Sequence, residues 1–219
     1  MSKEPMSKEP MTKLDANRGF LRLPGGIRGA LIILGLSLLS GAANAGLEKL
    51  NTALLQSPLF LDSILTVGIA SLFGLIPGIL TAVFTHFFMA AFNGWSFLYL
   101  PWVICSLASA LITWSYVRWG LLRNPIEGIS LALLVALANA VLGAAVAVFF
   151  FGGKTYHSVD LILSSLFTLT QNIFSAAFWA RLPLNVVDKG IAVAVAMVAR
   201  HLLLTNNQVP APPSSLEEE

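Results

Sequence analysis

The chain has 219 residues, of which 56% are hydrophobic and 11% charged, with a formal net charge of +2. Ordinary soluble domains carry roughly a quarter charged residues, so this composition argues against a water-soluble fold, and so small a positive excess gives no basis for binding nucleic acid. The single cysteine, Cys105, lies inside an apolar run, which leaves no disulfide framework and no cysteine-based metal site.

Residues 1–26 open with a tandem MSKEP repeat. It is polar and too short for a solenoid unit, and reads as a disordered cytoplasmic tail. It is not expected to be a signal peptide. Ala43-Asn44-Ala45 resembles a cleavage site, but the chain beyond it is itself apolar enough to be membrane-embedded. A first span is expected over residues 27–45, followed by an amphipathic connector, 46–58, with Glu48, Lys49, Asn51 and Gln56.

Residues 59–94 are the most informative stretch. They are almost wholly apolar, with one charge, Asp62, and a break at Pro77-Gly78. A run of this length predicts two spans, 60–75 and 77–92, joined by a tight turn. A carboxylate at the mouth of a span is costly unless it meets water, a partner or a ligand. Asn93-Gly94-Trp95 reads as a turn with an interfacial aromatic. Further spans are expected over 97–119 and 127–151, with Gly152-Gly153 ending the latter. Residues 159–180 form another apolar run, interrupted by Ser164, Ser165, Thr168, Thr170, Gln171 and Asn172. A last span covers 184–204, and 205–219 reads as a disordered tail.

Together these predict an all-α integral membrane protein. One polytopic domain over residues 27–204 forms a compact bundle of six transmembrane helices, with 159–180 as a seventh or a re-entrant outer segment. Lys3, Lys8, Lys13, Arg18, Arg22 and Arg28 place the N-terminus in the cytoplasm, and Arg118 and Arg123 after the fourth span agree. If 159–180 only dips into the outer leaflet, Arg200 and His201 lie inside; if it crosses, Arg181 and Lys189 do. The polar midsection favours six crossings. Ser37, Gly41 and Ala45 share one stripe of the first span, and Ala132, Ala136, Ala140 and Ala144 one stripe of the fifth. Small residues at this spacing let helices approach closely, within the protein or against a docked partner.

No catalytic constellation stands out. His86, His157 and His201 are too scattered for a zinc site, and no cofactor is implied. Gly152-Gly153-Lys154-Thr155 has the ending of a phosphate-binding loop but Val148 where that loop needs its first glycine. The chain is therefore not expected to be an enzyme or to hydrolyse ATP itself. What remains is polar and aromatic groups expected at the outer membrane face: Asp62, His86, Asn93, Trp95, Tyr99, Lys154, His157, Asn185, Asp188 and Lys189. They could form a pocket for a small ligand. The bland alternatives are an aromatic belt for Trp95, Tyr99 and Trp102, an interfacial pair for Asp188-Lys189 and a helix cap for Asp62.

Four stretches carry a family likeness: residues 57–87 (SPLFLDSILTVGIASLFGLIPGILTAVFTHF), 97–120 (FLYLPWVICSLASALITWSYVRWG), 151–166 (FGGKTYHSVDLILSSL) and 181–202 (RLPLNVVDKGIAVAVAMVARHL). Together they resemble the substrate-binding S-component of energy-coupling-factor (ECF) vitamin transporters. The resemblance implies a binding module in the bacterial cytoplasmic membrane. Such a module takes a vitamin or related small molecule from outside, docks on a transmembrane coupling subunit and is energised by two partner ATPases. The Ser37, Gly41, Ala45 stripe would be the docking face. His86 departs from the Asn or Asp that many relatives carry in the third span. A membrane sensor module and a self-sufficient secondary transporter remain the other readings of the pattern.

Overall fold

The computed structural model describes residues 20, 21, 23–155 and 159–205. Both expected tails, with the MSKEP repeat, and His157 lie outside the described residues, except for the few tail residues next to the first helix. Among the described residues the chain is all-helical, with no β-strand. The helices are α1 (Gly26–Leu50), α2 (Ile64–Phe73), α3 (Leu75–Phe92), α4 (Val103–Arg118), α5 (Pro125–Phe151), α6 (Val159–Thr170) and α7 (Ile173–Thr205). A π-helical turn, Asn51–Leu55, extends α1, and a 3-10 turn, Phe97–Trp102, leads into α4. Five of the resulting helices are long and apolar enough to cross a membrane, which is compatible with a multi-pass membrane protein.

Beside its apolar core the chain buries many polar side chains and exposes many large apolar ones. Ser37, Asn44, Thr66, Thr85, Ser109 and Thr113 are buried, while Leu31, Leu39, Leu111, Leu133, Phe149 and Val198 are exposed. Such a surface is unfavourable in water, whereas in hydrocarbon it is the interior polar groups that must find partners within the protein. They largely do. Thr81, Thr85 and Ser109 each donate to the carbonyl four residues back. Asn44 of α1 links three helices. Its amide nitrogen donates to Thr66 Oγ1 of α2 (3.1 Å) and Thr85 Oγ1 of α3 (3.2 Å), and its oxygen accepts from the Leu65 N–H (2.9 Å).

Several element boundaries differ from the sequence expectation. The second span is a helix of only 10 residues, Ile64–Phe73, about 15 Å long at 1.5 Å per residue and half a bilayer core. Residues 56–63 before it are not helical, because Asn51 and Asp188 capture their backbone groups. The turn between α2 and α3 lies at Gly74 (φ 99°), not at Pro77-Gly78. Pro77 sits in the first turn of α3, where its missing N–H has no helical partner to lose. Gly78 instead allows close packing: an added Cβ would lie 2.7 Å from Ala70 Cβ. The connector 46–58 is helical as far as Leu55.

Residues 159–180 are not one segment. The chain reverses at Gln171 (φ 50°), and α7 begins at Ile173 rather than near 184. Helix α6 packs along the first turns of α7 through Val159, Leu163, Ala176, Ala177 and Ala180.

The small-residue stripes are both consumed inside the bundle. Ala136, Ala140 and Ala144 of α5 are fully buried, and α5 makes its most extensive contact with α7. The stripe of Ser37, Gly41 and Ala45, expected as a docking face, packs within the bundle. The stripe faces α3, with Ser37 Oγ donating to the Pro77 carbonyl (3.2 Å) and Ala45 buried. An added Cβ on Gly41 would come within 2.6 Å of Phe84 Cβ. Gly41→Ala should therefore lower the unfolding temperature in detergent, as overpacking costs about 1–3 kcal/mol. Gly35→Ala on the same helix, where a Cβ meets nothing within 4 Å, should leave it unchanged or raise it. Equal effects would show that the α1–α3 contact is not as described.

Candidate functional site

At the end of the bundle where α1, α3 and α5 finish, a cavity of about 280 Å3 opens among the helices. Its walls are mainly apolar, with Phe60, Met89, Leu98, Trp102, Phe151 and Val159. Polar groups enter from separate elements: Glu48 from α1, Asp62 from the loop before α2, and Asn93, Ser96 and Tyr99 from the α3–α4 connection. Thr155 comes from beyond α5 and Arg181 from α7. A second void of about 30 Å3 shares Phe60, Asp62, Trp102 and Arg181 with the cavity and extends to Asn139, Asn185 and Lys189.

Local structure explains how these side chains arrive together. Helix α5 starts at a capping box, Asn124 with Glu127, and Pro125 at its first position. It stops at Gly152 (φ 60°) and Gly153 (φ 97°), with the Gly153 N–H reaching the Ala147 carbonyl at 2.8 Å. That stop presents Phe151 and Thr155. The Thr155 N–H and Oγ1 both donate to Asp160 (2.8 Å each), which fixes the start of α6. On the other side the Lys49 ammonium donates to Asn93 Oδ1 (2.5 Å), tying α1 to the end of α3.

Beside the cavity lies an ionic cluster. Lys189 Nζ donates to Asp188 Oδ2 (2.6 Å) and Ser63 Oγ (2.6 Å) and lies 3.5 Å from Asp62 Oδ1. Asp188 Oδ1 accepts the Leu61 N–H at 2.8 Å. Leu61 has φ 50°, a strained value for this residue that the surrounding bonds hold in place.

The structure brings together only part of the expected set. Asp62, Asn93 and Tyr99 line the cavity, and Asn185 and Lys189 line the adjoining void. Asp188 is buried and spent on Lys189 and Leu61. His86 is also buried and is not on the cavity wall; its Nε2 lies 2.9 Å from Ser106 Oγ, where it joins α3 to α4. Trp95 is on the surface, edge-on to Phe87, and Lys154 is exposed. These four positions do not contribute to the cavity. Sequence reasoning did not assign Glu48, Trp102 and Arg181 to it. In the sequence Arg181 bears only on topology. The available signal was a single arginine amid apolar residues near a span, which by itself calls for a functional partner. Among the described residues no group of three His, Cys, Asp or Glu side chains could hold a metal ion.

One prediction follows from the ionic cluster. Lys189→Met leaves the buried Asp188 and the half-buried Asp62 without their cation and should destabilise the protein by about 3–5 kcal/mol, read as unfolding in detergent. An unchanged unfolding transition would mean that the contact with Lys189 is not energetically coupled.

Comparison of the chain with protein-family models, with curated proteins and with solved structures finds no match. The reading of the site therefore rests on its own residues.

Proposed function

We propose that the chain is a membrane-embedded small-molecule-binding subunit, the S-component of an ECF-type importer for a vitamin or related compound. The observation that carries this reading is the cavity at one end of the bundle, apolar-walled and entered by polar groups from separate elements. In this reading the cavity faces outward and the chain crosses the bacterial cytoplasmic membrane six times. The crossings are α1, α2 with the extended residues before it, α3, α4, α5 and α7, while α6 rests at the outer face against α7. Arg118 and Arg123 fall at the end opposite the cavity, and so does Arg200, which donates to the Ser71 carbonyl at the far end of α2. All three then lie on the cytoplasmic side, in keeping with the distribution of positive charge in membrane proteins. The subunit binds its ligand, and a transmembrane coupling subunit with two ATPases supplies the energy. With the α1 stripe buried, that partner must use another apolar surface.

The test is native mass spectrometry of the detergent-purified protein, followed by affinity purification of a tagged chain from its own membranes. A stoichiometric small-molecule adduct, and co-purification of a membrane subunit with two ATPases, are expected. Recovery with a kinase or cyclase instead would replace the importer reading with a sensor. Uptake of a solute by vesicles containing this chain alone would replace it with a secondary transporter.

A further inference from the structure

The least compensated charge in the site belongs to Arg181. Its side chain is 1% exposed. Nη1 donates to the Ala177 carbonyl at 3.2 Å, while Nε and Nη2 are buried with no hydrogen-bond partner among the described residues. These two nitrogens form one edge of the guanidinium, the edge that takes a carboxylate through two parallel hydrogen bonds. A buried guanidinium with that edge unpaired is costly in a low-dielectric interior. The surrounding contacts fix its position. Trp102 lies 5.7 Å from the guanidinium carbon and is stacked on Phe151. Gly143 leaves room for the arginine stem, since an added Cβ there would meet Arg181 Cδ at 3.3 Å. Asp160, the acidic group nearest in charge effect, is already bonded by Thr155.

Arg181 lines both the cavity and the adjoining void. The other charged groups on the cavity wall, Glu48 and Asp62, are acidic. They disfavour a ligand carrying negative charge at more than one end. Apolar rings, Trp102, Phe151 and Phe60, make up much of the remaining wall.

Resting on the binding-subunit reading, we propose that this site selects a flat, apolar-bodied small molecule with a single carboxylate, which Arg181 binds through its Nε and Nη2 edge while Trp102 and Phe151 pack against the body. A phosphate could satisfy the same nitrogens, from a phosphorylated solute or a lipid headgroup, but its second charge conflicts with Glu48 and Asp62.

The experiment uses the full chain in neutral detergent and four probes: indole-3-propionate, its uncharged amide, tryptamine and phenyl phosphate. Unfolding temperature is followed for the parent, Arg181→Met and Arg181→Lys. The carboxylate is expected to raise the parent's unfolding temperature more than the amide, tryptamine or phenyl phosphate does. Arg181→Met should unfold no lower than the ligand-free parent, because an unpaired buried charge has been removed. It should bind the carboxylate roughly ten- to a hundredfold more weakly. Arg181→Lys, which keeps the charge but not the two-pronged edge, should fall between. Equal responses to carboxylate and amide, no response to the carboxylate, or a clearly less stable Arg181→Met would each overturn the assignment and make Arg181 structural. Preference for phenyl phosphate, or for anionic lipid in native mass spectra, would overturn the carboxylate in favour of a phosphate source. A co-purifying molecule with no acidic group would overturn the anion assignment while leaving the binding-subunit reading intact. Failure to recover coupling partners bears on that reading alone.

Discussion

The ammonium of Lys189 is the interaction on which the candidate site depends. It sits almost wholly buried between Asp188, Asp62 and Ser63. Two of those partners lie on the stretch that enters α2, more than a hundred residues earlier in the chain. In an interior of low dielectric these charges hold one another, because a buried charge left alone would keep its full desolvation cost. The cluster therefore clamps residues 61–63 onto α7. Asp188 extends the clamp to the backbone by accepting the Leu61 N–H. Helix α2 can consequently be short: its upper half is replaced by an extended strap that polar side chains hold in place. The same strap supplies Phe60 and Asp62 to the cavity wall.

Helix pairing elsewhere obeys the same requirement. Asn44 answers for the polar groups of α1, α2 and α3 at once, and Asn139 Nδ2 reaches Ser109 Oγ at 2.9 Å to join α5 to α4. Between these polar ties the backbones touch through Gly41, Gly78 and the alanines of α5. Small residues bring helices close and amides or hydroxyls fix their register, while the large aliphatic side chains point outward. Within this paired interior, the unbonded edge of Arg181 is an exception on the wall of a cavity. An exception of that kind is where a ligand can contribute what the protein does not.

The expected site residues come together only in part. The stretch around Asp62 and the Asn185, Asp188, Lys189 series come together as a neighbourhood, yet Asp188 and Lys189 neutralise each other within it. Trp95 is among the expected pocket residues, but the turn after α3 carries it to the surface, whereas Trp102, three positions beyond Tyr99, faces the cavity. Periodicity alone could not separate these two tryptophans. Trp95 precedes, and Trp102 ends, a 3-10 turn whose pitch differs from that of the helix that follows it.

Composition and run length by themselves determined that the chain is helical, that most helices are long enough to cross a bilayer, and where α3 and α5 end. Those features depend on local chemistry: apolar length, the Asn93-Gly94 turn and the Gly152-Gly153 stop. Tertiary structure decided what a local pattern cannot carry. It shortened α2, because long-range bonds from Asn51 and Asp188 compete for the backbone that would have extended the helix. It lengthened α7 back to Ile173, because packing on α6 rewards the extra turns. It turned the α1 stripe inward onto α3. It also placed Arg181 beside Trp102 with one edge unpaired, since whether a buried charge finds a partner depends on neighbours far away in the chain.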